Sequence, residues 1–302
     1  MIFAESLAKG TRAQYGSAFN LFQVYCNGRG VDAFNIPVAL GVEYLTTLYK
    51  GGKSYSNINT ARSAISQYAN ITDGDGVKDF GKHPLVTGFM KGVFKLRPAL
   101  PRYQSTWDVG AVLDNLSKID NDTATFKQLS LKCATLLALT SGQRVQTLAA
   151  LSVDKIHHKT DGIVLTVDTL LKTSRPGFHS SVELCRFVEN DSICPVKCIM
   201  TYTERTSAIR ECNQLFISVQ KPHGPVSSQT ISRWICSVLH EAGVPNCFKA
   251  HSVRSAATSK AVARTDINII LRAAGWSSRR TFDKFYNKPL HSAEAFSTAV
   301  LS

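Results

Sequence analysis

Acidic side chains are scarce in this sequence: 22 Asp and Glu stand against 35 Lys and Arg, leaving a formal charge of +13. A surface of that sign attracts polyanions and makes an acidic-substrate or nucleic-acid partner the first expectation. No apolar run is long enough to span a bilayer and no secretory leader is visible, so no membrane is expected and the expected location is intracellular. The eight cysteines lack the paired short spacings of zinc ribbons and fingers; Cys194, Cys198, Cys212 and His223 make a poor ligand set, which favours reduced thiols and no metal. What is present is apolar content: 44% of 302 residues, enough for two cores and too much for a disordered chain. The basic excess is also spread, with 11 Lys and Arg against 6 Asp and Glu in residues 1–100, so a polyanion along the whole surface fits better than a basic tail.

Helical spacing organises the first third. Tyr15, Phe19, Phe22 and Tyr25 precede Gly28 and Gly30, predicting a helix over 11–27. Pro37 opens a second, with Val38, Val42, Leu45 and Leu48 inward; a third covers 55–68 and a fourth 84–96. Lys53, Arg62, Lys91, Lys95 and Arg97 decorate this module and could neutralise phosphates, although solvated helix faces look the same. Residues 98–105, with Pro98, Pro101 and Arg102, have no periodicity and read as a basic linker. Domains are therefore expected at 1–97 and 106–302, able to close on DNA as a clamp.

Beyond the linker, helices are expected over 108–119 and 125–139, with Arg144 just past Ser141 and Gly142. Residues 163–167 and 182–184 change to strand character, predicting a hairpin-like sheet with Lys172 and Arg175 in its connection. Helices over 195–206 and 227–242 follow, the second bearing Arg233 and Trp234. The expected fold class is thus mainly α with a small antiparallel β-sheet.

The chemistry gathers in residues 248–287. His251 and Arg254, three apart in a helix over 250–262, share one face. A second helical piece over 266–273 stops at Gly275, and Trp276 comes next. Asn287, Lys288 and Pro289 then leave Tyr286 at a helix end rather than inside a packed face. A phenol keeps its proton at neutral pH, so a nucleophilic tyrosine needs cations to stabilise charge on its target. Taken alone, a tyrosine beside Phe282 and Phe285 is more commonly a core residue.

The series His251-x-x-Arg254, Ala274-Gly275-Trp276-Ser277-Ser278 and Tyr286 resembles the C-terminal signature of the tyrosine recombinases, the phage-integrase superfamily. Residues 140–145, followed by Leu148, Leu151 and Ser152, resemble the segment that carries the family's first arginine, and Lys172 falls where its hairpin lysine belongs. The wording around Trp276 and Arg144 is most similar to recombinases of DIRS-type retrotransposons and Cryptons, which implies a nuclear location. The resemblance covers nearly the whole chain and implies a helical core-binding domain joined to an α+β catalytic domain. It implies binding of double-stranded DNA, attack by Tyr286 to give a 3′-phosphotyrosine and a free 5′-hydroxyl, and no cofactor. Arg144 and Arg254 would hold the nonbridging oxygens, His251 would assist proton transfer, Lys172 would protonate the 5′-oxygen and Trp276 would lie against the phosphate. It also implies a homotetramer on two DNA sites, linked by exchange of the tail over 291–302.

Three features depart from the family pattern. Thr147 stands where many relatives have an acidic residue; Trp276 stands where a histidine is frequent; and the step from Trp276 to Tyr286 is one residue longer than usual, making Phe285 the naive spacing match. Phe285 has no nucleophile. Lys159 and Arg175 compete with Lys172 for the proton-donor role, and two other functions fit: a non-cleaving DNA-binding protein descended from such an element, and a type IB-like topoisomerase.

Overall fold

The computed structural model describes residues 7–73, 79–100, 102–171, 174, 180–276 and 279–286. Lys172, Arg175 and the tail over 291–302 lie outside the described residues. The chain forms two compact units, Met1–Pro101 and Arg102–Ser302.

The first unit is built from α1 (Lys9–Asn27), α2 (Val38–Lys50), α3 (Tyr55–Tyr68) and α4 (Pro84–Leu96). Local chemistry sets the helix starts: the Ser54 hydroxyl accepts the Asn57 N–H at α3, and Pro84 occupies the first turn of α4 behind a His83 cap. Phe19, Phe22, Leu45, Ile58, Ile65 and Phe80 fill the core. A Cβ on Gly41 would come within 2.3 Å of the Phe80 ring, so α2 buries Gly41 and Tyr44, whereas Val42 and Leu48 lie at its margin. Two strands not expected from sequence, β1 (Asn35–Ile36) and β2 (Asn70–Ile71), pair in parallel. A two-residue strand is too short to show a period.

In the second unit α5 (Val109–Ser117) leads to α6 (Phe126–Ser141), which is buried on every side from Leu129 to Leu139 and is largely apolar for that reason, Ser130, Lys132 and Thr135 being the buried polar exceptions. A reciprocal capping box between Thr125 and Gln128 starts α6, a device that contributes about 1 kcal/mol. α7 (Val145–Ala149) and an antiparallel sheet follow, with strands in the order β3 (Ile156–His158), β4 (Gly162–Val167), β5 (Ser180–Cys185). Ile163 pairs with Leu184 and Leu165 with Val182, placing four apolar side chains in the core. β3 had no signal in the sequence, because His157 and His158 interrupt any apolar alternation. α8 (Pro195–Thr206), α9 (Ser228–Glu241) and α10 (Ala250–Val262) pack on α6, and α11 (Ile267–Ala273) and α12 (Arg279–Phe285) complete the described fold. Cys194 caps α8, its sulfur accepting the Lys197 N–H, and Pro195 takes the first helical position.

Candidate active site

Two left-handed glycines aim the site. α6 ends at Gly142 (φ 59°), whose N–H reaches the Ala138 carbonyl and whose own carbonyl accepts Nη1 of Arg254 at 2.7 Å. The chain then turns so that Arg144 stands at the start of α7. α11 ends at Gly275 (φ 67°) in a Schellman arrangement: Gly275 N–H bonds the Arg272 carbonyl and Trp276 N–H the Leu271 carbonyl, at 3.0 and 2.8 Å. That closure fixes Trp276 one residue past the glycine, which is why the Ala274-Gly275-Trp276 order matters physically.

Trp276 caps a small cluster with Ile270, Ala274 and Phe282. Its ring lies 3.9 Å from the Arg254 guanidinium carbon and 4.6 Å from the Tyr286 ring. Tyr286 does follow the end of α12, yet its ring is not clear of packing: it rests on Trp276, 5.3 Å from the Arg254 guanidinium and 5.9 Å from the His251 ring. The Schellman turn brings Trp276 under the tyrosine, a contact that spacing along the chain does not disclose.

Arg254 is 2% exposed, and apart from the bond to Gly142 its Nε and Nη2 are buried without partners. The indole N–H of Trp276 is likewise buried and unsatisfied. Burial, then the nearby Arg144 charge, pushes the Arg254 pKa down to about 10, so it remains a cation at neutral pH. His251 sits on the open side of the cleft; partial desolvation, followed by the charges of Arg254, Arg144 and Arg102, holds its pKa below the usual imidazole value. Among the described residues no ion pair involves Arg144, His251 or Arg254. An uncompensated buried cation costs several kcal/mol, more than one carbonyl bond and a cation–π contact of about 2 kcal/mol return. An anion entering the cleft would offset that cost.

That pocket is a cleft of about 290 Å³ between the turn over 143–146, the start of α9 and the first turn of α10. Ser228, Gln229 and Ser232 line it, so the N–H-rich end of α9 adds partial positive charge. Sequence reading passed over these three, although Ser227 followed by Thr230 marks a helix start there; Ser227 does cap α9. It also passed over Gln143, whose Nε2 donates to the Ala273 carbonyl at 2.6 Å and whose Oε1 accepts the Thr147 hydroxyl at 3.4 Å. Thr147, buried at 5% exposure, thus braces the turns of Arg144 and Trp276 through Gln143. The start of α10 is held by Trp107, which donates to Ser252 at 2.9 Å, and by the Tyr103 hydroxyl, which accepts the Lys249 N–H.

The structure brings together Arg144, His251, Arg254, Trp276 and Tyr286. Of the competitors for Lys172, Lys159 is paired with Glu183. Of the basic residues expected to meet DNA, Arg62, Lys91 and Lys95 line one groove of the first unit together with Tyr55 and Phe94. Lys53 is exposed. Arg97 is engaged internally, stacking on Tyr49 and donating to the carbonyls of Tyr49 and Lys53 at the end of α2. Arg102 and Arg233 are exposed, the first near the Tyr103 ring and the second bonded to Thr230.

The fold is that of the tyrosine recombinase catalytic domains with a helical unit before it. A structure of XerH site-specific recombinase bound to palindromic difH substrate, in a post-cleavage complex, aligns with TM-score 0.64 at 13% identity over 96% of this chain and 78% of that one. A lambda integrase tetramer bound to a Holliday junction aligns with TM-score 0.57 at 16% identity, covering 95% and 75%. The Tn1549 transposon integrase in complex with transposon right end DNA gives 0.56 at 14% identity, covering 88% and 84%. No curated protein sequence matches. Residues 111–292 match the model of the phage integrase family, more than half of the chain, and the chain belongs to that family.

Proposed function

We propose that this protein is a site-specific DNA recombinase that cleaves and rejoins duplex DNA through a 3′-phosphotyrosine at Tyr286. One observation carries the reading: a buried Arg254 without an ion pair, its Nε and Nη2 lacking partners, lies beside Arg144 and the unsatisfied Trp276 indole, under the ring of Tyr286. A phosphodiester supplies the missing negative charge. Its nonbridging oxygens would take the free N–H groups of both arginines and the indole, which stabilise the five-coordinate transition state. The phenol oxygen attacks phosphorus and loses its proton, with His251 assisting; the P–O5′ bond breaks, and Lys172 protonates the leaving oxygen. One phosphodiester replaces another, so no nucleotide enters the balance.

The groove of Arg62, Lys91 and Lys95 supports a DNA-binding role for the first unit, with residues 98–105 as the connection to a catalytic domain over 106–302. By this reading four subunits hold two duplexes, each docking its tail over 291–302 on a neighbour. The wording around Arg144 and Trp276 supports an origin in a DIRS-type retrotransposon or Crypton, working in the nucleus; repeats in the DNA flanking the gene would disclose the recombination site.

The test is covalent trapping. Duplexes that the wild-type protein captures covalently are selected from a random-sequence pool and offered to Tyr286→Phe, which should bind them yet form no denaturation-resistant adduct. Adduct formation by that variant would assign the nucleophile elsewhere, and absence of any adduct with wild type would leave a DNA-binding protein. Exchange between two duplexes separates a recombinase from a topoisomerase, and removal of residues 291–302 should abolish exchange while leaving the adduct.

A further inference from the structure

We propose that Ser255 and Ser259 are positioning residues that clamp the main chain of Tyr286 to the helix bearing His251 and Arg254, an inference that rests on Tyr286 being the nucleophile. Both hydroxyls donate to one acceptor, the Tyr286 carbonyl, at 3.0 and 2.9 Å. The two serines are four residues apart and continue the stripe that begins at His251, so they stack along one face of α10. A helical hydroxyl ordinarily donates to the carbonyl four residues back, as Thr258 does to Arg254 at 2.7 Å. Ser255 and Ser259 instead each reach the carbonyl of the residue that follows α12.

The acceptor is well suited to them. The last carbonyls of a helix have no intrahelical partner, and a carbonyl has two lone pairs, so the segment after α12 can take both donors at once. α12 has seven residues and shares a small cluster with Trp276, whereas α10 is packed into the main core. The clamp transfers the rigidity of α10 to the tyrosine. It places the attacking group at a set height above Arg254 and His251 on that same helix. In-line attack tolerates little misplacement, and an error near 1 Å can lower a rate by about a hundredfold.

Full-length protein and the covalently captured duplex described above provide the test. Ser255→Ala and Ser259→Ala, each keeping one hydroxyl, should cleave within about threefold of wild type. The double alanine variant at saturating DNA should form adduct about tenfold to a hundredfold more slowly, with dissociation constants unchanged within about twofold. Ser255→Ala with Ser259→Thr keeps a hydroxyl at the second position and should return the rate to that of Ser255→Ala. Amide exchange in residues 279–286 of the DNA-free double variant should quicken, with residues 126–141 unchanged, a readout that needs no turnover. A double variant that cleaves at the wild-type rate, or shows wild-type protection over 279–286, overturns the clamp. Loss of rate that Ser259→Thr fails to restore also counts against it. If wild type forms no adduct at all, the nucleophile reading fails and the positioning role falls with it, even where exchange shows the bonds.

Discussion

At the scale of single residues, His251 carries a pH signature. Its pKa in the folded protein lies below the ordinary value of about 6.5, because desolvation and then Arg254, Arg144 and Arg102 disfavour the imidazolium. The unfolded chain therefore takes up the proton first as pH falls. Stability contributed by neutral His251 is complete above the unfolded pKa and is lost as pH drops from there through the folded one. Across about pH 7.5 to about pH 5.5, the urea midpoint of wild type should fall relative to that of His251→Asn, since the variant lacks this proton uptake. Parallel curves would mean that the arginines do not act on His251. The same residue shows how far spacing reaches: a three-residue step predicted that His251 and Arg254 share a face, but not that one would be open to solvent and the other 2% exposed.

At the scale of elements, the turn after α6 sets the geometry. Gly142 adopts φ 59°, and an added Cβ would find only ordinary contacts, 3.4 Å to Thr258 and 3.5 Å to Ala274. The penalty for alanine is thus conformational, about 1–2 kcal/mol for a left-handed residue with a side chain. Gly142→Ala should lower unfolding stability by that amount and slow adduct formation, because the Gly142 carbonyl holds Arg254. Gly142→Asn should lose less, as asparagine tolerates this conformation. Equal stability of wild type and the alanine variant in urea would show that the turn relaxes. Most helices were legible because apolar spacing and caps agree with burial: α3 spans Tyr55–Tyr68, the range that Ile58, Ala61 and Ile65 indicate. β1 and β2 were not, since two residues show no period and their partners lie 35 positions apart, and β3, although it pairs with its neighbour β4, lacks apolar alternation at His157 and His158.

At the scale of the whole molecule, the +13 charge bears on the proposed DNA binding. Binding that neutralises six or more phosphates should weaken about 10³-fold or more between about 50 and 200 mM salt, through counterion release. A filter-binding titration with a flat salt response would exclude phosphate neutralisation as the main source of affinity. Variants at Lys91 and Lys95 belong to this same term and should reduce the salt slope by about one each.

Composition, helical period, cap residues and the order of Arg144, His251, Arg254, Trp276 and Tyr286 are local or additive properties, and for that reason the sequence by itself determined the helical character, the basic surface and which residues were candidates for the site. Only tertiary structure decided which cations are buried, which are open and which, like Arg97, are engaged by backbone carbonyls. The bond from Arg254 to Gly142 joins positions 112 apart, and those from Gln143 to Ala273 and Trp107 to Ser252 span 130 and 145. Desolvation and unsatisfied N–H groups exist only once such distant segments have closed around a side chain, so the buried charge of Arg254 becomes visible in the fold and nowhere earlier.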